Sequence, residues 1–508
     1  MNAAAVERMG EKQHRGLIAA AVMLATILVI LDTTIVNVAL PHMMGTLSAT
    51  QDQIAWVLTS YIVASAVMIP PTGWMAMKIG RKRLFLIAVA LFTLASVACG
   101  LATNLPEIVL FRIIQGIAGA PLVPLSQAIL FDTYPKEKHG QAMAMFGVGV
   151  MVGPILGPTL GGYITEWLEW QWVFFINLPF GLLALFLIAT FVPETPKGDR
   201  PFDRFGFLTL SLGIASLQLM LDRGQGHDWL SSNEILTEAI LAGMGFYLFA
   251  VHSMTTRNPF ISPVLFSDRN FLTGMTFMFI MGVVLLATMA LLPPYLMNLM
   301  HYPVVDTGLV MVPRGLGSMF SMALVGRLVG KYDPRILIAI GFGFVSESLW
   351  EMSYFNLEIG MGPLIWTGVV QGLGLGFIFV PLQTIAFATL PPPLRTEAAG
   401  LFNLIRNIGS SIGISIIMVV FSRSVQINHA ELGAFVTPFN PLAQAPLLPP
   451  PWGIDSPAGL AMIDLEINRQ AAMIGYTNDF LLMGVLTVAV MPLLLLMKRP
   501  EGVGARRP

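Results

Sequence analysis

The sequence predicts an all-α integral membrane protein: fourteen transmembrane helices, arranged as two six-helix halves with two linker helices inserted between them. Three observations carry this reading. The 508 residues are 55% hydrophobic and 11% charged, with a mean hydropathy of +0.74, where a soluble chain would hold about 25% charged residues. Apolar runs recur at the length a lipid core demands, about 20 residues per helix. The sequence also meets itself again at a shift of 256 residues.

The runs fall at 17–40, 53–76, 84–103, 107–130, 140–164, 172–192, 205–222, 234–253, 271–297, 308–330, 336–355, 362–388, 398–422 and 477–497. Arg8, Lys12 and Arg15 precede the first, as they would in a secretory signal. That run is about 24 residues long and lacks a small-residue cleavage site, so it reads as a retained span. The seventh and eighth runs carry the weakest signal.

Lys and Arg set the orientation. With the N-terminus inside, Arg223, Arg423 and Arg469 fall outside, and Arg112, Arg314 and Arg406 fall within spans. The rest of the 28 basic residues fall on the cytoplasmic side, among them KIGRKR (78–83), PKEK (135–138) and KRP (498–500). The bias predicts an even number of spans and two cytoplasmic termini. It leaves one long outer loop, 424–476, Pro-rich at first and then patterned as an amphipathic helix.

Several function classes are excluded. A net charge of −1 argues against a nucleic-acid partner. Cys99 is the sole cysteine, so no internal disulfide forms. The seven histidines are scattered, and neither HExxH nor GxxxxGK[ST] occurs; GRLVGKY at 326–332 has the wrong spacing. No metal site, catalytic constellation or nucleotide-binding domain is expected.

The repeat aligns Gln115 with Gln371, Gln127 with Gln383, Phe131 with Phe387 and Pro135 with Pro391. Gly153 likewise meets Gly409, and Gly157 meets Gly413. Matching spans keep one orientation, so the halves are parallel. The expected domains are a six-helix half at 1–200, linker helices at 201–258 and a second half at 259–508. Parallel halves about an axis along the membrane normal are the plan of the major facilitator fold, with substrate bound at the midplane between them. Arg112 meets Gly368, and Asp32 falls against Ala287–Thr288, so the buried charges belong to the first half alone.

Four stretches carry motifs: LDTTIVNVALP (31–41), GWMAMKIGRKR (73–83), FRIIQGIAGAPLVPLSQ (111–127) and GVGVMVGPILGPTLGGYI (147–164). WVFFINLPFG (172–181), SLQLMLDRG (216–224) and NHAELGAFVTPFNPLAQA (428–445) extend the pattern. Together they resemble the fourteen-span drug:proton antiporter branch of the major facilitator superfamily, over nearly the whole chain. Read physically, Gly149, Gly153, Gly157 and Gly161 form one stripe that lets helices approach closely in lipid. Pro154 and Pro158 favour bends. The resemblance implies that this bent helix seals one face between the halves. It also implies a gate at 73–83, built on Gly73, Gly80 and Arg81. Met77 stands where most of that branch carries an acid, so the resemblance supplies no ion pair there.

Asp32 lies in an apolar run, at a cost of roughly 2.5–3.5 kcal/mol on insertion scales. From a helical rise of 1.5 Å per residue, Asp32 sits about 12 Å, Arg112 about 8 Å and Gln115 about 12 Å below the outer end of its span. The three share a layer. The resemblance places their spans on a central cavity and makes Asp32, with Arg112, the proton-coupling pair. Asn37, Gln115, Gln127, Gln371 and Gln383 are the expected cavity liners. Arg314, Arg406 and Glu347 are secondary candidates, each also readable as a snorkelling or interfacial group.

The expected function is proton-driven efflux of hydrophobic drugs across a cell inner membrane, with no cofactor. The resemblance adds a periplasmic adaptor protein and an outer-membrane channel as partners. Two alternatives stay open: a dedicated exporter of a metabolite such as a fatty acid or siderophore, and a non-transporting membrane sensor.

Overall fold

The computed structural model describes residues 3–227, 229–440, 452–454 and 456–498. Among them there are helices and connecting turns but no strand. The first half comprises α1 (Ala3–Thr46), α2 (Gln51–Met68, continued by Thr72–Ile79), α3 (Arg81–Leu101), α4 (Leu105–Thr133), α5 (His139–Trp167) and α6 (Trp172–Phe191). Two linker helices follow, α7 (Arg204–Arg223) and α8 (Asn233–Thr255). The second half comprises α9 (Arg269–Pro294), α10 (Val304–Leu328), α11 (Pro334–Met352), α12 (Met361–Ala388), α13 (Arg395–Gly433) and α14 (Pro457–Val490).

Twelve of these are long and apolar enough to cross a membrane, and α2, bent by 59°, makes thirteen. The bend sits at Pro70–Pro71, where backbone donors are missing. The remaining long helix, α11, falls short of that measure because its 19 residues include Arg335, Glu347 and Glu351. It packs against α12 and α14.

The two halves use one packing plan. In the first, α1 lies on α5 and α6, α2 on α4, and α3 on α4 and α6; in the second, α9 lies on α13 and α14, α10 on α12, and α11 on α12 and α14. Helix α7 pairs with α8 and also touches α2 and α13, one from each half. The halves meet through α5 with α10 and α12, α4 with α13, and the Thr72–Ile79 segment of α2 with α13.

Small residues bring α5 close to α1. A Cβ on Gly153 would collide with Ile30, and one on Gly157 with Thr34. Gly149 faces Met23, and Gly161 faces Ile35 and Val38, also on α1. The glycine stripe therefore packs within its own half, which corrects the expectation that it seals the halves together. Contact between α5 and the other half comes from another face: Gly140 and Ala144 on Gly326, Gly147 on Met322 and Phe379, and Ile155 on Gly315.

Helices α13 and α14 run well past their apolar stretches. His429 and Asp464 approach to 2.9 Å, and Asn478 donates to Ser424 at 3.2 Å. The amphipathic segment expected as a separate loop helix is thus the first part of α14. Most of the Pro-rich stretch, 441–451, lies outside the described residues, as does Arg499 of the KRP segment.

Candidate transport site

Asp32 is fully buried, and its cost is met by three donors. Arg112 Nη1 donates to Oδ2 at 2.7 Å; Gln115 Nε2 and Asn177 Nδ2 donate to Oδ1 at 2.9 and 2.7 Å. Arg112 is itself fully buried and also donates to Gln115 Oε1 at 2.9 Å and, through Nε, to Val57 O at 2.9 Å. Asn177 reaches on to Ser96 at 2.9 Å. Helices α1, α3, α4 and α6 are tied at this one point. Among the described residues, every hydrogen bond to the carboxyl comes from an N–H donor.

A cavity of about 410 Å³ lies between the halves. Val29, Thr33, Tyr61, Pro124 and Pro154 line one side, and Arg314, Ser318, Asn403, Arg406 and Asn407 line the other. Gln218 of α7 also borders it. Met151, Met281, Met289 and Met311 give it an adaptable apolar surface.

Asp32 does not line this cavity, contrary to the expectation of a wet carboxylate. Tyr61 stands between. It borders the cavity, and the Arg112 guanidinium sits 4.1 Å from its ring centroid. In this conformation a cation in the cavity cannot share the carboxylate with a proton.

The expected cavity liners lie elsewhere. Asn37 is exposed and donates to the carbonyl one turn earlier on its own helix, Thr33 O at 3.2 Å. Gln115 belongs to the Asp32 cluster. Gln371 is fully buried, and neither side-chain polar atom has a partner. Gln127 and Gln383 bond to each other at 2.7 Å. They close the space between the halves toward the end where α1 begins, and Asn403 adds a bond to Gln127 Oε1 at 3.2 Å. Glu347 is exposed on α11.

The secondary candidates Arg314 and Arg406 do face the cavity. Arg314 Nη2 donates to Leu285 O at 3.2 Å, and its Nη1 is buried without a partner. Arg406 reaches Asn407 Oδ1 at 3.4 Å. No Asp or Glu lines the cavity among the described residues. Its fixed charge is positive.

The end carrying the basic loop is shut. Asp132, at the end of α4, binds both Arg81 of α3 and Arg395 of α13, the latter at 2.6 Å. Arg81 also donates to Pro392 O at 3.1 Å. Phe131 stacks on Phe387 with centroids 5.1 Å apart. A Cβ on Gly73 would meet Glu397 at 2.7 Å, and Glu397 pairs with Arg200 at 3.3 Å. Gly80 has φ +99°, a backbone form that glycine adopts freely, and turns the chain from α2 into α3. Met77 leaves no gap in this gate: its carbonyl accepts Gly198 N–H at 2.9 Å, and Asp132 supplies the acid. Beside it, Lys78 meets exposed Asp199 at 2.5 Å and holds that carboxyl below its usual range.

Sequence reasoning missed Asn177, Tyr61, Asp132 and Glu397. Asn177 sits inside WVFFINLPFG, where the one amide in an apolar run was the available signal. Asp132 and Glu397 lie at helix ends, where acids are ordinary.

Comparisons with known proteins place the chain. Multidrug export protein EmrB of Escherichia coli (strain K12) is 35% identical over 488 residues, covering 95% of each chain. Fatty acid resistance protein FarB of Neisseria gonorrhoeae is 35% identical over 480 residues, covering 94% of this chain and 95% of the relative. The solved structure of the proton:xylose symporter XylE bound to 6-bromo-6-deoxy-D-glucose matches with a TM-score of 0.60 at 15% identity, covering 97% of this chain and 98% of the other. The family model described as Major Facilitator Superfamily matches residues 22–414. Two six-helix halves of one packing plan around a shared cavity agree with that match: the chain is a membrane transporter belonging to the major facilitator superfamily.

Proposed function

We propose that the protein is a proton-driven efflux antiporter, exporting hydrophobic toxic compounds through the inner membrane with both termini in the cytoplasm. The observation that carries this is the Asp32–Arg112–Gln115–Asn177 cluster, set behind the cavity wall at Tyr61. Full-length similarity to the multidrug exporter EmrB supports the choice of cargo.

The coupling runs through Arg112. While Asp32 is ionised it holds the guanidinium, which holds the Tyr61 ring against the cavity wall. Protonation neutralises the carboxyl and weakens the charge-assisted bond. Arg112 and Tyr61 are then free to repack, and the wall with them. Substrate and proton thus sense each other through Tyr61, not by competing for one carboxylate. The basic residues at the closed end support a cytoplasmic position for it, and on that reading the cavity of this conformation belongs to the outward-directed half of the cycle. An adaptor protein and an outer-membrane channel complete the export path, with the α13–α14 projection as the contact surface.

A second reading is favoured by the cavity's charge. Arg314 and Arg406 are its charged liners, which suits a lipophilic acid such as a fatty acid. The fatty acid resistance protein FarB is a full-length relative. One assay addresses both readings: proton-driven accumulation in proteoliposomes, with cationic, neutral and fatty-acid substrates, for the intact chain and Asp32→Asn. The expected outcome is substrate binding without accumulation in the variant, with several chemical classes accepted by the intact chain. Undiminished accumulation by Asp32→Asn overturns the coupling role. Acceptance of fatty acids alone selects the second reading.

A further inference from the structure

Asp479 is a second buried acid, and nothing in the site above uses it. It lies on α14 with no exposed surface, and neither carboxyl oxygen has a hydrogen-bond partner. Asp32 is surrounded by donors; Asp479 has none, and its neighbours on α14 pack into aromatic clusters. Tyr476, one turn before it, packs on Phe421 of α13 at 4.4 Å and on Tyr295 at 5.2 Å. Phe480, the next residue, packs on Phe355 at 6.3 Å.

The ionisable and charged groups of the packed elements lie away from it. On α11, Glu347 is exposed, and Glu351 borders a separate crevice with Tyr354 and Trp366. On α13, Arg406 lines the central cavity and Arg423 is exposed. On α14 itself, Arg469 pairs with Glu466 at 3.6 Å. Tyr476 and Tyr295 are the ionisable groups that frame this stretch. An ionised carboxylate without a donor or a counter-charge is the costliest buried arrangement, whereas the protonated acid carries no charge to desolvate.

Position makes this more than a misplaced acid. In the first half, Asp32 on α1 bonds across to Asn177 on α6. The helices in the same relation in the second half are α9 and α14. Thr288, at the 256-residue shift from Asp32, lies on α9 and contacts α14 at Met483, 3.8 Å away and one turn from Asp479. The acid has changed sides across an equivalent helix contact.

Beside the acid the helix geometry is irregular. Helix α9 ends in Pro293–Pro294 and passes into a π turn, Tyr295–Leu299. Such turns hold looser hydrogen bonding and recur at functional sites. Tyr295, the first residue of that turn, is the ring packed against Tyr476. A change in the turn therefore alters the packing of Tyr476, one turn from Asp479.

We propose that Asp479 is a second proton-binding site of the transporter, protonated in the conformation described here and opened to water when the Tyr295 turn rearranges. The step is a simple exchange: a proton from water on one face converts the carboxylate to the acid, and the acid returns it to water on the other face. The inference rests on the proton-coupled reading above, and predicts one more proton per cycle than Asp32 alone supplies.

The test measures protons exchanged per substrate in proteoliposomes from reversal potentials, for the intact chain, Asp479→Asn and Asp32→Asn. Asp479→Asn should lower the ratio by one while substrate binding in detergent stays unchanged. An unchanged ratio overturns the inference. If Asp479→Asn fails to fold, Asp479→Leu, shaped for the apolar surroundings, takes its place. Infrared difference spectra of the Asp32→Asn protein keep the test independent of either variant. A protonated-carboxyl band that shifts on substrate addition is expected, and a band that does not respond marks a static acid and overturns the proposal. If Asp32→Asn leaves proton-driven exchange intact, the coupling role of Asp32 fails on its own, and the ratio for Asp479→Asn still decides this inference.

Discussion

Three donors on one carboxylate explain why Asp32 survives in the middle of an apolar helix. A side chain so fully paired also resists change, and the cation–π contact with Tyr61 is the part of the cluster nearest the cavity. Replacing Tyr61 with Leu removes that contact, worth about 2 kcal/mol when desolvated. The expected outcome is a thermal stability lower by about that amount, together with faster modification of Asp32 by a hydrophobic carbodiimide. Modification as slow as in the intact chain would mean that Tyr61 is not the partition. Asp32, Arg112 and Gln115 were legible in the sequence because helical rise alone gives depth, and all three fall in one layer. Gln127, Gln371 and Gln383 were misplaced for the complementary reason. Depth was available for them, but the direction each side chain points around its helix depends on packing.

Helix punctuation was mostly legible as well. A proline pair marks the break in α2, and glycines mark the α1–α5 seam. The partner of that seam was not legible: a small-residue stripe announces a close neighbour without naming it. Charge weakens α11 without hiding it: two glutamates and an arginine interrupt the run, yet its length still marked it as a span. The far ends of α13 and α14 looked like loop because polar residues return there, yet His429–Asp464 and Asn478–Ser424 hold them as a helical hairpin. Deleting 441–451, the stretch that joins them, should leave purified protein stable and able to bind substrate while lowering whole-cell resistance at least tenfold. Full resistance after the deletion would remove this projection from the adaptor contact.

Closure of the basic end sets the state of the whole molecule. Asp132 gathers Arg81 and Arg395 from opposite halves. Asp132→Asn leaves two cations facing each other. Because the carboxyl is partly exposed, the cost is about 1–2 kcal/mol rather than the larger penalty of a fully buried pair. That is enough to shift the ratio of closed to open forms by roughly tenfold. Spin labels at Lys136→Cys and Pro392→Cys should then report a broader, longer distance distribution; an unaltered distribution would assign closure to the aromatic and amide contacts instead.

The Gln127–Gln383 and Phe131–Phe387 contacts each join two positions the repeat equates. A residue that touches its own counterpart must lie at a twofold axis. Such a contact is isologous, the kind two separate identical chains would make. Seen this way, the closed end has the form of a homodimer interface, and α7 and α8 with their connections act as the tether that turns a bimolecular encounter into an intramolecular one.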